Sequence, residues 1–146
     1  MMLKFQEIFE HLIKKKPKFE KYFEKRGLNP EEIKNIKKFL EELYQKTGCF
    51  WKPGYCRYTP EFLEAAKKIL RNSENYFEDI RIRNYEGGHF FLVAFLRDGK
   101  EFIIDPTGVP SVSGKGRSIF PDDIKPYFGL IDYATGYHKL IYENSV

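Results

Sequence analysis

Residues 88–107 read Gly88-His89-Phe90-Phe91-Leu92-Val93-Ala94-Phe95-Leu96-Arg97-Asp98-Gly99-Lys100-Glu101-Phe102-Ile103-Ile104-Asp105-Pro106-Thr107, and this stretch decides the fold. Two apolar runs rich in Phe, Val and Ile flank an Asp98-Gly99 turn, the pattern of a β-hairpin. Strands are expected at Phe90–Leu96 and Glu101–Ile104. Each run is apolar at consecutive positions, so the sheet is expected to be covered on both faces. The segment Leu96–Lys100 suits a three-residue loop with Gly99 in the left-handed conformation. In that register Asp105 falls opposite Phe91, on the same face as His89 and diagonal to it. A two-residue Asp98-Gly99 loop would put the two side chains on opposite faces, so the turn type decides whether they meet.

Outward from the hairpin, Phe77–Arg83 reads as a preceding strand, and everything before residue 76 has helical period. Residues 2–46 read as helical, with Phe5, Ile8, Phe9, Leu12 and Ile13 on one stripe and Pro17 interrupting it. A short stretch around Phe19, Tyr22 and Phe23 ends near Gly27. Asn29-Pro30-Glu31-Glu32 supplies an N-cap, a first-turn proline and two acids, and Ile33, Ile36, Phe39, Leu40 and Leu43 form the buried stripe that follows. The ring-rich loop 47–58 is expected to pack inward. Thr59-Pro60 opens another helix carrying Phe62, Leu63, Ala66, Ile69 and Leu70, ending at Asn72-Ser73. Pro121–Ile124 suggests a short helix, and Tyr137–Tyr142 fits either a strand or a helix, with strand the preferred reading. The resulting fold class is α+β, with N-terminal helices packed on an antiparallel sheet.

The chain of 146 residues is read as one domain, of a size that buries about 68% of its unfolded surface. It divides into a helical lead-in (1–46), a core (54–108) and a tail completing the fold (109–146). Fourteen Phe and ten Tyr make ring packing the expected core chemistry. A net charge of +4 falls short of a nucleic-acid footprint, and the Lys14–Lys18 run is interleaved with acids nearby. No apolar run reaches the length of a membrane span, and no signal peptide is visible. The expected location is the cytoplasm, where Cys49 and Cys56 would be reduced thiols. Abundant Lys and Glu, with Gln only at positions 6 and 45, is a bias of proteins from hot environments. The sequence carries no mark of an oligomeric state, a nucleotide or flavin site, or a set of metal-ligand spacings; no cofactor is expected.

Cys56, His89 and Asp105 stand in the order that thiol catalysis needs. A thiolate attacks a carbonyl, an imidazole moves the proton, and a carboxylate orients the imidazole. Cys56 lies at the entry to the 60–70 helix, whose positive end favours a thiolate. Thr59-Pro60 as the helix start would leave Cys56 outside the first turn; a start near Cys56 would place it inside. The Cys56 backbone N–H is one expected oxyanion donor, with the Trp51 indole or the Gln45 amide as candidates for the second. Taken singly, Cys56 reads as a small buried hydrophobe, His89 as a strand cap and Asp105 as a turn residue. His11 and His138 have no evident partner.

At Gly54-x-Cys56 before an apolar helix, Gly88-His89 opening a strand, and Ile103-Ile104-Asp105-Pro106-Thr107 ending the next, the chain resembles the transglutaminase-like branch of the papain-like cysteine hydrolases. The resemblance covers about residues 54–108. It implies a Cys56-bearing helix packed on a sheet bearing His89 and Asp105, and acyl transfer or amide hydrolysis on a peptide or glutamine side chain. The family also includes members without activity, which would act as binding modules. Arg57-Tyr58-Thr59-Pro60 after the cysteine departs from its pattern, where members run straight into helix. Gly48-Cys49-Phe50-Trp51 also resembles the nucleophile motif of A-type methionine sulfoxide reductases, with Cys56 as resolving thiol.

Overall fold

A computed structural model describes residues 16–52, 54–73, 76–86, 88–107 and 126–146. The expected 2–15 helical stripe and the 121–124 helix lie outside these residues. Helix α1 (Lys16–Glu24) contains Pro17 in its opening turn, where a missing N–H costs nothing. The turn after it closes at Gly27, whose φ of +81° suits glycine, with the Gly27 N–H bonded to the Glu24 carbonyl and the Leu28 N–H to that of Phe23. Helix α2 (Pro30–Thr47) begins with a full capping box: the Glu32 N–H donates to Asn29 Oδ1 at 2.9 Å, and the Asn29 N–H to Glu32 Oε1 at 3.1 Å. Its buried face carries Ile33, Ile36, Phe39, Leu40 and Leu43, as the spacing predicts. Helix α3 (Thr59–Arg71) buries Phe62, Ala66 and Ile69, while Leu63 and Leu70 are half-buried at its margins.

Four strands follow: β1 (Asp79–Tyr85), β2 (His89–Phe95), β3 (Glu101–Asp105) and β4 (Tyr127–Leu130). They form one sheet in the order β1-β2-β3-β4, with every neighbouring pair antiparallel. The molecule is therefore α+β. The strand β1 starts two residues later than its sequence suggests, because Phe77 turns into the core edge-on to Phe39, with 4.9 Å between centroids. Strand β4 is a short apolar run that the sequence reading did not separate from its surroundings. The tail differs most: Gly136–Glu143 is a helix, α4, and not a strand. His138 and Ile141, three residues apart, are both buried, the spacing of a helical face and not of a pleat.

The alternation along β2 and β3 separates two cores. Leu92, Ala94, Phe102 and Ile104 join Phe19, Phe23, Phe39, Trp51 and Phe62 on the helical side. Phe91, Val93 and Ile103 join Tyr127, Ala134 and Ile141 on the other, which α4 covers. This two-sided burial explains why the strands read as continuous apolar runs. No helix among the described residues is long and apolar enough to cross a membrane.

Candidate active site

The hairpin turn sets the site. The Leu96 N–H donates to the Lys100 carbonyl and the Gly99 N–H to that of Leu96, both at 2.9 Å, which closes a three-residue loop with Gly99 at φ +88°. Counting back from Leu92↔Ile104 and Phe95↔Glu101, Asp105 lies opposite Phe91. His89 stacks on Phe91 with 5.9 Å between ring centroids, so it shares that face. His89 Nε2 then meets Asp105 Oδ2 at 2.8 Å, with both side chains fully buried.

Cys56 opens a 3₁₀ turn (Cys56–Tyr58) that runs straight into α3. The cysteine is thus outside the α-helix proper yet continuous with it. The Thr59 N–H bonds to the Cys56 carbonyl. Thr59 caps no N–H with its side chain. Its hydroxyl instead lies 2.7 Å from the Cys56 carbonyl and 3.2 Å from that of Phe90, tying the turn to β2. This arrangement brings Cys56 Sγ to 3.7 Å from the Gly88 carbonyl, next to His89, whose imidazole acts on the thiol. Cys56 is 4% exposed.

The electrostatics follow from burial opposed by partners. Burial pushes the Cys56 thiol up, but hydrogen bonds from His89 and the Phe90 backbone, with the imidazolium charge, bring it below its ordinary value. Burial disfavours a charged His89, yet the Asp105 carboxylate beside it pushes the imidazole up to about 10. Asp105, whose burial alone would raise it, is held well below the usual carboxylate range by His89 and His138. All three shifts run toward a thiolate–imidazolium pair backed by a carboxylate.

Two further groups hold Asp105. Thr107 Oγ1 donates to Oδ1 at 3.4 Å, and His138 Nε2 from α4 lies 3.3 Å from Oδ2. His138 has no partner evident in the sequence; the helix Gly136–Glu143 turns it inward together with Ile141. The helical spacing of His138 and Ile141 was the signal available.

Of the oxyanion candidates, Trp51 is corrected. Its indole N–H donates to Thr47 Oγ1 at 2.9 Å, and its ring stacks on Phe128 at 5.5 Å, so it is a core ring. Gln45 is exposed on α2. The Cys56 N–H, at the first position of its 3₁₀ turn, has no acceptor within that turn. Cys49 is exposed in the 3₁₀ turn Gly48–Phe50, and both cysteines are free thiols. Around the cysteine the loop packs inward as its rings suggest: Phe50 stacks on Tyr58 at 4.2 Å, and Tyr55 lies 5.6 Å from Tyr58. Among the described residues, no group of three or more His, Cys, Asp or Glu side chains is arranged to hold a metal ion.

Comparison of the chain with protein-family models, with curated proteins and with solved structures returns no match.

Proposed function

We propose that the chain is a thiol-dependent amide hydrolase or acyl transferase of the transglutaminase-like, papain-like kind, acting on a peptide bond or a glutamine side-chain amide. The observation that carries this reading is the buried 2.8 Å His89–Asp105 contact, with Cys56 close enough for the imidazole to lower its thiol. A lone buried cysteine is a common core residue; one placed beside a carboxylate-backed imidazole is set up as an activated nucleophile.

In this mechanism the Cys56 thiolate attacks the amide carbon, and the carbonyl oxygen takes up negative charge near the Cys56 N–H. The His89 imidazolium then gives its proton to the departing amine, and the C–N bond breaks to leave a thioester. Neutral His89 next takes a proton from water, whose oxygen attacks the thioester carbon. The Cys56 thiolate leaves, and His89 is again charged. A primary amine in place of water gives transfer instead of hydrolysis. Two free thiols suit a reducing compartment such as the cytoplasm.

The test follows ammonia release and cleavage together on a library of glutamine-containing peptides, with Cys56→Ala as control. Cleavage identifies a protease, and ammonia without cleavage a deamidase or transferase; either must vanish in the control. Silence in both assays, with Cys56 still titrating as a thiolate, overturns the enzyme reading and leaves a binding module. Reduction of methionine sulfoxide dependent on Cys49 would overturn it in favour of the reductase.

A further inference from the structure

Asp105 Oδ2 faces two imidazoles: His89 Nε2 at 2.8 Å from its own sheet, and His138 Nε2 at 3.3 Å from α4 across the second core. The triad chemistry uses only the first. His138 is 5% exposed, and its ring stacks on Tyr127 with 5.2 Å between centroids and 29° between planes. Tyr127 is itself paired with Asp105 across β3 and β4, and its hydroxyl donates to the Leu130 carbonyl at 3.0 Å. The ring's seat is therefore built by the same strand pair that presents the carboxylate.

We propose that His138 is a positioning residue of this site, its Nε2–H held toward Asp105 Oδ2 by the Tyr127 stack so that the carboxylate keeps its aim on His89. The inference rests on the thiol-chemistry reading for what the aim is for. It is distinct from packing, because an apolar ring would fill the space equally well. An N–H directed at Oδ2 does two things. It restricts rotation of the carboxylate, with Thr107 doing the same at Oδ1. It also takes a share of the carboxylate's charge, which makes His89 a readier proton donor to the leaving amine.

Among the titratable and charged groups, Asp105 faces it from β3 and Tyr127 from β4, and His89 on β2 meets the same Asp105 oxygen. Arg26, following α1, sits 5.4 Å over the Tyr127 ring.

The experiment crosses two substitutions. His138→Phe keeps the ring on Tyr127 and removes the donor. His138→Gln keeps an N–H donor and removes the ring. Each is read by the NMR titration of His89 in histidine-labelled protein and by thiolate absorbance of Cys56, neither of which needs a substrate. The donor role predicts that His138→Phe moves the His89 titration up by about one pH unit, as expected for a group losing a competing donor on its carboxylate. His138→Gln should stay close to the unsubstituted protein. An unshifted Phe variant, or equal shifts in both variants, overturns the proposal. If both variants fail to fold, the unsubstituted protein still decides: its His138 must carry the proton on Nε2, read from the ring nitrogen shifts, and a proton on Nδ1 alone overturns it. Peptides left intact by a protein with these titrations would sink the enzyme reading and not this one.

Discussion

At the scale of single residues, the site is a contest between burial and pairing. Burial alone would push Cys56, His89 and Asp105 each toward its neutral form; each is instead shifted toward its charged form by its neighbours. His89→Ala should therefore return the Cys56 thiolate titration to the range of an ordinary thiol or above it, read by ultraviolet absorbance against Cys56→Ser. An unmoved titration would mean that no ion pair activates the cysteine. Asp105→Asn keeps a similar shape but removes the charge that favours imidazolium. It should lower turnover by up to about 10⁴-fold, the cost of the wrong imidazole tautomer in a triad. Trp51→Phe makes the opposite case: Thr47 still bonds the Leu43 carbonyl, so the loss is one hydrogen bond and some packing, about 1–2 kcal/mol. Its turnover should hold, and a hundredfold drop would restore Trp51 as an oxyanion donor.

At the scale of elements, the hairpin shows how a site can depend on counting. Because β2 and β3 are apolar on both faces, hydrophobic pattern alone does not choose between registers one residue apart. The turn chooses. Replacing Arg97-Asp98-Gly99 by a two-residue Asn-Gly turn keeps Leu96 opposite Lys100, so Asp105 stays opposite Phe91 and the thiolate titration should survive. Deleting Glu101 shortens β3 by one and turns Asp105 toward the helical core. That variant should lose the thiolate and about 3 kcal/mol or more, read by titration and denaturant unfolding, because a carboxylate would be buried without partners. A deletion variant that keeps both would show that the turn does not set the register. The start of α2 was legible for the complementary reason: a cap, a proline and a periodic stripe are all local.

At the scale of the whole molecule, the buried pair couples stability to pH. Asp105 has its folded value depressed below the ordinary 3.8, so its contribution is present above that pH and is lost as pH falls through and below it. His89 has its folded value raised from 6.5 to about 10, so its contribution is full below 6.5 and is lost between 6.5 and about 10. Cys56, depressed, acts in the opposite sense to His89 and gains as pH rises toward 9.0. In Cys56→Ser, where that offset is gone, the melting temperature should be highest between about pH 4 and 6.5. It should fall by roughly 5–10 °C toward pH 10. Adding Asp105→Asn should flatten the alkaline fall, and a fall of equal size in the double variant would place its source elsewhere.

Cys56, His89 and Asp105 were legible as candidates from residue type, order and turn chemistry, and the α+β class from the change of period near residue 76. Those features are encoded over a few neighbouring residues, which is the range that backbone sterics, capping and pleat alternation act across. Tertiary structure decided what those rules do not reach. It gave Trp51 to Thr47 and Phe128, made the tail a helix, and set His138 against Asp105, thirty-three residues earlier in the chain. A buried polar group takes whatever partner the packing of distant elements brings within about 3 Å, and that distance is not written in the spacing of either residue.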